Sequence, residues 1–304
     1  MSQWHAGFVA LVGQPNSGKS TLFNQLVGEK ISIVTSKPQT TRRRIQGFIC
    51  QEQTQAIFVD SPGMIRAQRG LNQFLADEWK SVAQDADILV AVLSPDVTDA
   101  RELDQVLTFV RQSGKPWMAY ISKTDLPLEG RVRQTQSWLE LEKIPVICGN
   151  MHISSEVLQK DFLNILRPLL PQSPRPLFDV ETLTTATVRD ICGELIREAA
   201  FEVLHQELPY SIAVHILKFD ESGPIVRIYA ELWVAKENHK KIVVGRQAQT
   251  IKSIGIKARQ KIEALVDNRV FLDLQVKLKQ DWMESAPLMR ELGYEVSPEA
   301  RKST

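Results

Sequence analysis

The sequence is poor in cysteine and has no long hydrophobic run, and each absence excludes a class of protein. Its three cysteines, Cys50, Cys148 and Cys192, lie too far apart for the usual metal-binding or disulfide spacings. We expect them to be small buried hydrophobes in a reducing compartment. No apolar run reaches the ~18 residues of a spanning helix, and the first residues lack the pattern of a signal peptide. We therefore expect a cytoplasmic protein, and a peripheral association with the inner face of the cell membrane stays open.

A large excess of one charge is also missing. Lys and Arg number 37 and Asp and Glu number 36, for a formal net charge of +1, which excludes a uniformly polybasic protein. The distribution is uneven, because residues 236–261 contain eight Lys or Arg and only one acidic residue, Glu237. This local excess predicts a basic surface on one part of the chain.

What the sequence does contain is an alternation of short apolar runs and longer amphipathic segments over residues 1–170. Such alternation is typical of an α/β domain with a mostly parallel sheet. Gln55–Asp60 follows the preceding strand so closely that we expect an antiparallel hairpin at one edge. The predicted strands are Gly7–Val12, Ile45–Cys50, Gln55–Asp60, Ile88–Leu93, Trp117–Ser122 and Ile144–Cys148, and the predicted helices are Lys19–Val27, Leu71–Gln84, Asp99–Gln112, Val132–Glu142 and Glu156–Leu169.

A proline-rich stretch ends this region. Four prolines fall within the nine residues from Pro168 to Pro176, and proline lacks the backbone donor that a helix or a central strand needs. We interpret residues 171–180 as a stiff linker. Residues 181–304 then predict a small α+β domain, whose expected elements are the helix Thr187–His205, the strands Ile212–Phe219 and Ile225–Ala235, the helix Gln247–Val266 and the strand Val270–Lys279.

The most specific motif lies between the first predicted strand and the first predicted helix. Residues 13–20 read Gly-Gln-Pro-Asn-Ser-Gly-Lys-Ser and match the P-loop pattern G-x-x-x-x-G-K-[ST] in its required context. Backbone N–H groups of such a loop bind phosphate. We expect Lys19 to bridge the β- and γ-phosphates of a nucleotide and the Ser20 hydroxyl to bind Mg²⁺. The predicted phosphate-binding residues are Gly13, Gln14, Pro15, Asn16, Ser17, Gly18, Lys19, Ser20 and Thr21.

Two further segments complete the expected phosphate site. Asp60 leaves the end of an apolar strand, where it would hold Mg²⁺ through water, and the Gly63 N–H would meet the γ-phosphate. The polar segment 36–44 is typical of a loop that offers a threonine to Mg²⁺ when the γ-phosphate is present, and we favour Thr41. We assign Lys19, Thr41 and Gly63 to catalysis, Ser20, Thr41 and Asp60 to the metal, and Asp60, Ser61, Pro62, Gly63 and Met64 to the nucleotide site.

Ser122-Lys123-Thr124-Asp125 follows at the end of a later strand and predicts the base site. A carboxylate is an acceptor only, so Asp125 can accept from guanine N1–H and from the exocyclic amine. Adenine offers no such pair of donors. We predict that Asp125 selects guanine, that the Lys123 stem lies over the base plane, and that Ser122 and Thr124 belong to the same site.

These motifs have the order and spacing of a known family. Residues 13–20, Gln39–Arg42, Asp60–Gly63 and Lys123-x-Asp125 resemble the Era family of GTPases, and the resemblance covers nearly the whole chain. It implies GTP and GDP as ligands and slow, Mg²⁺-dependent GTP hydrolysis. It also implies binding of 16S ribosomal RNA and a role in the assembly of the 30S ribosomal subunit. The resemblance further implies a potassium ion near the phosphates, held partly by Asn16.

Two positions depart from the family pattern. Ser122 stands where the family has an asparagine that ties the base loop to the P-loop, and Ile147-Cys148 stands where it has Ser-Ala. The Ala N–H meets guanine O6 there, a role that we assign to the Cys148 N–H because a backbone donor survives a change of side chain. Both departures predict a looser guanine site. Met64 stands where many GTPases have a water-orienting glutamine, but a thioether is only a weak acceptor, so Met64 is not the expected catalyst.

The segment Ile242–Gly255 resembles the strand–GxxG–helix element of KH domains, and the element order suits the bacterial type II subtype. In KH domains a tight GxxG loop approaches the nucleic-acid backbone. Ala248 replaces the second glycine, and its Cβ costs strain if its φ is positive. Trp233, Tyr229 and Phe271 are expected in the core. The predicted RNA-binding residues are Lys241, Gly245, Arg246, Gln247, Ala248, Lys252 and Lys257.

One alternative stays open from the sequence alone. Ser122 and Ile147-Cys148 also fit an RNA-binding assembly factor whose degenerate G domain binds nucleotide weakly and does not cycle. A metabolic P-loop kinase is disfavoured because it leaves Asp125 and the KH-like segment unexplained.

Overall fold

A computed structural model of the chain describes residues 3–35, 37, 40–65 and 67–294. Within these ranges no helix combines the length and the apolar character needed to cross a bilayer. Their contacts define two compact units: one holds the described residues of 1–66 and 75–186, and the other holds those of 67–74 and 187–304. The main division therefore falls between Ala186 and Thr187, after the predicted linker.

The first unit is built on one sheet with flanking helices, as predicted. Its strands lie in the order β2-β3-β1-β4-β5-β6, and the pairs β1–β3, β1–β4, β4–β5 and β5–β6 are parallel. The β2–β3 pair is the predicted antiparallel hairpin. The elements are β1 (Trp4–Val12), α1 (Lys19–Val27), β2 (Ile45–Gln51), β3 (Thr54–Asp60), α2 (Leu71–Asp85, of which the first four residues count with the second unit), β4 (Ile88–Leu93), α3 (Ala100–Gln112), β5 (Trp117–Ile121), α4 (Glu129–Leu141), β6 (Val146–Cys148), α5 (Ser155–Leu166) and β7 (Gln172–Ser173).

Burial and capping explain these elements. Every residue of β4 is buried, which is why this strand is a continuous apolar run. Helix α3 begins after Asp99, whose side chain accepts from the Arg101 N–H, and α5 begins after Ser154, whose hydroxyl accepts from the Val157 N–H. Such N-caps satisfy donors that the first turn leaves without partners. The carboxyl ends of the parallel strands then meet at one edge, where α/β sheets bind ligands.

The stretch predicted as a stiff linker is bound to this sheet. The short strand β7 pairs antiparallel with β1, in the register Trp4 to Ser173. Further along, the buried Gln55 side chain donates to the Phe178 carbonyl oxygen at 2.9 Å and accepts from the Leu177 N–H at 2.7 Å. The prolines exclude a helix here, but the backbone N–H groups of the residues between them can still donate hydrogen bonds to a neighbouring strand.

The second unit is a three-stranded sheet with helices, and it confirms the predicted α+β class. The sheet has the order β8-β9-β10, with β8 and β9 antiparallel and β9 and β10 parallel. Helix α8 buries one face through Ile254, Ala258 and Ile262, at the spacing of successive turns. The elements are α6 (Val188–Val203), a 3₁₀ turn (Leu208–Ser211), β8 (Ile212–Asp220), β9 (Val226–Val234), α7 (Glu237–Val244), α8 (Gln249–Val266), β10 (Val270–Leu278) and α9 (Ala286–Glu291).

Two predictions for this unit were wrong. The segment before Gly245 is helix α7, not a strand, because the fully buried Val243 anchors a helical turn and the Gly245 N–H donates to the Lys241 carbonyl oxygen at 2.9 Å. Phe271 was expected in the core, but 46% of it is exposed, whereas Trp233 is fully buried as expected. The Phe271 ring packs beside Tyr229 with centroids 5.8 Å apart.

Candidate functional site

The P-loop connects β1 to α1 and requires glycine at two places. Gly18 caps α1 with φ of 94°, in the left-handed region that favours glycine. A Cβ on Gly13 would lie 2.6 Å from both the Ser17 Oγ and the Val92 carbonyl oxygen. Asn16, at the tip of the loop, also has a positive φ of 63°. The local sequence therefore fixes a tight turn in front of the α1 N-terminus, the geometry that binds phosphate.

Lys19 lies inside this turn. Its Nζ donates to the carbonyl oxygens of Gly13 at 3.1 Å and Gln14 at 2.8 Å. Burial lowers the pKa of the Lys19 ammonium to about 8, and the charge of Asp60 opposes this shift. A nearby anion would strongly stabilise this desolvated ammonium, which is now held only by two neutral carbonyl groups. The reason is that charge-assisted hydrogen bonds are stronger than neutral ones.

Three residues predicted to bind metal come together at Asp60. The Ser20 and Thr41 hydroxyls are 2.8 Å apart, and Thr41 Oγ1 donates to Asp60 Oδ2 at 3.2 Å. Ser32, which no sequence motif indicates, donates to the same oxygen at 2.7 Å. The second oxygen, Asp60 Oδ1, is buried without a hydrogen-bond partner.

This arrangement fits a magnesium ion. Burial raises the pKa of the Asp60 carboxyl, while hydrogen bonds from Ser20, Ser32 and Thr41 and the charge of Lys19 oppose the shift. A buried carboxylate oxygen without a partner costs free energy unless a cation or a donor satisfies it. Hydroxyl and carboxylate oxygens are also the ligands that Mg²⁺ prefers, alongside phosphate and water.

The segment after Asp60 packs directly on the P-loop. A Cβ on Gly63 would lie 2.7 Å from the Pro15 nitrogen, and the Met64 N–H donates to the Gly13 carbonyl oxygen at 3.0 Å. The Met64 side chain packs against the hydrophobic core beneath the sheet. Its placement agrees with the expectation that it does not orient water. Ser36, Pro38 and Gln39 of the predicted loop lie outside the described residues.

At the base end, Ser122 still reaches the P-loop. Its hydroxyl donates to the Ser17 carbonyl oxygen at 2.7 Å and is within 3.2 Å of the Leu93 carbonyl oxygen. The serine thus makes the tie that its departure from the family pattern was expected to weaken. Lys123 has a positive φ of 53°, and its Nζ donates to Asp96 Oδ2 at 2.7 Å. This ion pair places the Lys123 stem along the wall of the site.

The loop after β6 contributes Asn150 and Met151 to the cavity wall. The Cys148 thiol turns towards α4, where it is 3.5 Å from Gln136 Oε1, and the role assigned to the Cys148 N–H stays a prediction. Gln25, on α1, holds this loop because its Nε2 donates to the Asn150 carbonyl oxygen at 2.9 Å. The sequence offers no signal for a contact between residues 125 positions apart.

The phosphate end and the base end share one cavity of about 530 Å³. This volume is within the usual range for small-molecule sites. The remaining predicted nucleotide-site residues are not part of its wall: Gly13, Gln14, Ser17, Asp60, Pro62, Met64, Thr124 and Cys148. The predicted residues in the wall are Pro15, Asn16, Gly18, Lys19, Ser20, Thr21, Thr41, Ser61, Gly63, Ser122, Lys123 and Asp125.

In the second unit, the loop between α7 and α8 has an unusual backbone. Gly245 has φ of 73°, and Gln247 and Ala248 follow in the left-handed region with φ of 50° and 59°. Lys241, Arg246, Gln247 and Lys252 are exposed. Lys257 was predicted to bind RNA, but its Nζ lies 3.1 Å from Glu202 Oε2, so part of its charge is already paired.

The left-handed Ala248 leads to a prediction on stability. An alanine costs about 1–2 kcal/mol in this conformation, whereas glycine adopts it freely. We expect Ala248→Gly to raise the free energy of unfolding of this unit by about 0.5–1 kcal/mol, measured by urea denaturation.

Ala264→Gly is the matched control. Ala264 is exposed in the last turn of α8, where glycine costs up to about 1 kcal/mol, so the two substitutions should have opposite signs. If both substitutions lowered the free energy of unfolding by the same amount, the proposed strain at Ala248 would be contradicted.

Comparison with known proteins agrees with this geometry. Residues 8–123 match the family model described as 50S ribosome-binding GTPase, and residues 207–283 match the model described as KH domain. The chain is 35% identical over 299 residues to GTPase Era of Geotalea daltonii, covering 96% of this chain and 99% of that protein. It is 36% identical over 309 residues to GTPase Era of Nitratidesulfovibrio vulgaris, covering 94% and 96%.

Solved structures show the same likeness. An Aquifex aeolicus Era variant bound to GDP and AlF₄⁻ has a TM-score of 0.86 at 28% identity, covering 96% of this chain and 100% of that one. An Era in complex with MgGDPNP and a fragment of 16S ribosomal RNA has the same TM-score, identity and coverage.

The fold and the site define a P-loop nucleotide-binding domain followed by a type II KH domain. Within that class, the chain belongs to the Era family of GTPases. The predicted family and fold class are confirmed, and the alternative of an assembly factor with a degenerate G domain is not favoured.

Proposed function

We propose that this chain binds GTP with Mg²⁺ and hydrolyses it slowly to GDP and phosphate. Its KH domain then binds 16S ribosomal RNA during assembly of the 30S subunit, in the cytoplasm. The observation that carries the proposal is the single cavity that joins the buried Lys19 to Asp125. The printed ligands of the related structures, MgGDPNP and an rRNA fragment, support it. Peripheral contact with the inner face of the membrane stays a prediction from the sequence.

Each end of the cavity has a distinct task. Lys19 and the backbone N–H groups of the P-loop bind and orient the phosphates, while Asp125 reads the base by accepting two hydrogen bonds. Ser20, Thr41 and Asp60 would hold Mg²⁺, which supplies charge stabilisation to a transferring phosphoryl group. Gly63 packs against Pro15 of the P-loop, and its N–H would meet the γ-phosphate. Because Met64 packs into the core, this chain lacks the usual water-orienting side chain there, which supports slow turnover.

Phosphate release tests the enzymatic part of the proposal directly. The wild-type chain should release phosphate from GTP in the presence of Mg²⁺ and should not release it from ATP. Release from ATP at an equal rate would favour a nucleotide hydrolase without base selectivity. If the chain released phosphate from neither nucleotide, RNA binding alone would remain of the proposed function.

A potassium effect is expected at Asn16, which lines the cavity at the loop tip. A monovalent cation near the transferring phosphate adds charge stabilisation, so K⁺ should raise the hydrolysis rate over Na⁺ by about tenfold or more. Asn16→Ala should remove most of this difference, whereas Asn164→Ala, an exposed asparagine on α5, should keep it. Equal rates in Na⁺ and K⁺ for the wild type would contradict the proposed site.

The basic loop of the KH domain gives a prediction on RNA binding. Arg246→Ala and Lys252→Ala should each weaken binding of 16S rRNA and flatten the slope of log K against log salt by about 0.7, the value for one phosphate contact to a single strand. GTP hydrolysis should stay within about twofold of the wild type, because neither residue lies in the nucleotide cavity.

Lys218→Ala is the matched control for this experiment. Lys218 lies on β8, outside the predicted RNA-binding residues, and its Nζ is 3.4 Å from Asp220 Oδ2, so its removal should leave the salt slope near the wild-type value. Loss of hydrolysis in the Arg246 or Lys252 variants would show that the two activities are not separable.

A further inference from the structure

The base end of the nucleotide cavity contains a tight aromatic contact that no motif indicates. Tyr120, in β5, is 2% exposed and contributes to the cavity wall. Its phenol lies directly under Gly149: a Cβ on Gly149 would be 2.3 Å from Tyr120 Oη and 2.9 Å from its Cε2 and Cζ. Real Cβ atoms do not approach other atoms so closely, so the contact exists only because residue 149 has no side chain.

Gly149 is also the residue that ties the two base-site segments together. Its N–H donates to the Ile121 carbonyl oxygen at 2.9 Å, and its carbonyl oxygen accepts from the Thr124 N–H at 3.3 Å. These two hydrogen bonds flank Ser122 and Lys123 and end next to Asp125. A displacement of Gly149 would therefore move the backbone that carries the base-reading carboxylate.

The ring of Tyr120 is itself held in place. Phe162, a fully buried residue of α5, packs against it with centroids 5.8 Å apart. Burial, together with the charges of Cys148 and Asp125, raises the pKa of the Tyr120 phenol, so the hydroxyl stays neutral. Ser122 cannot brace the same loop, because its hydroxyl is directed to the P-loop at Ser17.

We propose that Tyr120 is a positioning residue for base selectivity: its ring, fixed between Phe162 and Gly149, holds the loop after β6 in register with Asp125. A supporting side chain of this kind sets how precisely a polar group meets its ligand. The inference rests on the proposed binding of GTP, and it adds the residue that keeps the base-reading Asp125 in place.

Tyr120→Leu and Tyr120→Phe test the proposal when their dissociation constants are measured for GTP, ITP and Mg²⁺-tripolyphosphate. Hypoxanthine lacks the 2-amine of guanine, so the ratio of the ITP to the GTP constant reports how well Asp125 is placed; one charge-assisted hydrogen bond makes this ratio about tenfold or more. In Tyr120→Leu the ratio should fall to about twofold, with tripolyphosphate binding unchanged within about twofold. Tyr120→Phe keeps the ring and should keep the ratio.

Two further variants separate positioning from general damage. Gly149→Ala places a Cβ against Tyr120 and should lower the ratio as Tyr120→Leu does. Phe109→Leu removes a ring that packs against Trp79 in the same unit, away from the base loop, and should keep it. If Tyr120→Leu kept the wild-type ratio, the proposal would be overturned. It would also be overturned if this variant weakened tripolyphosphate binding as much as GTP binding. A wild type that binds no GTP would instead refute the proposed function.

Discussion

Replacing Lys19 with alanine is expected to lower the rate of phosphate release from GTP by about a hundredfold or more, the usual cost of losing one charge-stabilising donor at a reacting oxyanion. The Lys19 Nζ is buried inside the P-loop and donates to two carbonyl oxygens that a phosphate would replace. Its burial lowers its pKa to about 8, so a nearby phosphate would further stabilise the charged form. Single-turnover phosphate release with saturating GTP measures the effect.

Lys160→Ala is the matched control for this substitution, since Lys160 is exposed on α5. It should leave the rate unchanged within experimental error. Because removing Lys19 leaves the buried Asp60 without a nearby positive charge, circular dichroism should confirm that the variant is folded. If Lys19→Ala hydrolysed GTP at the wild-type rate, the P-loop assignment would be wrong.

Asp125→Asn is expected to weaken GTP binding by about a hundredfold or more and to favour xanthosine triphosphate. The carboxylate accepts from two guanine donors, and a charge-assisted hydrogen bond contributes about 1.5–3 kcal/mol. An asparagine presents one acceptor and one donor. Xanthine, with an oxygen in place of the 2-amine, matches that pattern, so the order of affinity for GTP and XTP should reverse.

Competition binding with GTP, XTP and ATP measures this reversal. Asp161→Asn, which changes an exposed carboxylate on α5, should leave the order of the three nucleotides unchanged. If Asp125→Asn weakened all three equally, Asp125 would be a structural residue of the loop rather than the reader of the base.

The phosphate site was predictable because its parts are local. Gly13, Gly18 and Lys19 are fixed by a turn between a strand and a helix, and the side chains that matter lie within eight positions of each other. Asp60 was predictable for the same reason, as the last residue of an apolar strand. Long-range partners were not. Ser32 meets Asp60 across 28 positions, and no pattern in the sequence relates the two.

The base end was less predictable because its residues act through packing. Tyr120 looks like one more apolar position of a buried strand, and Gly149 looks like an ordinary strand end. The two residues are 29 positions apart, and only the structure shows that they are in contact. The Tyr120 ring fits there because Gly149 has no side chain. The direction of the Cys148 thiol towards Gln136 was likewise not predictable, because it depends on packing against α4.

In the KH domain, local preference and tertiary packing disagreed at α7. The run Ile242-Val243-Val244 is β-branched and favours a strand, but burial of Val243 against the domain core stabilises a helix that ends at Gly245. The positive φ of Ala248 was anticipated as a possible strain and is present. Phe271 shows the opposite case, in which an aromatic residue of a strand faces outwards.

One competition titration tests the central claim most directly, that a single cavity binds a phosphate chain at Lys19 and a guanine base at Asp125. A fluorescent GTP analogue is bound to the full chain with Mg²⁺ and displaced with GDP or ADP. The account predicts complete displacement by GDP, with at least about a hundredfold more ADP required. Equal displacement by both nucleotides, or no binding of the analogue, would contradict it.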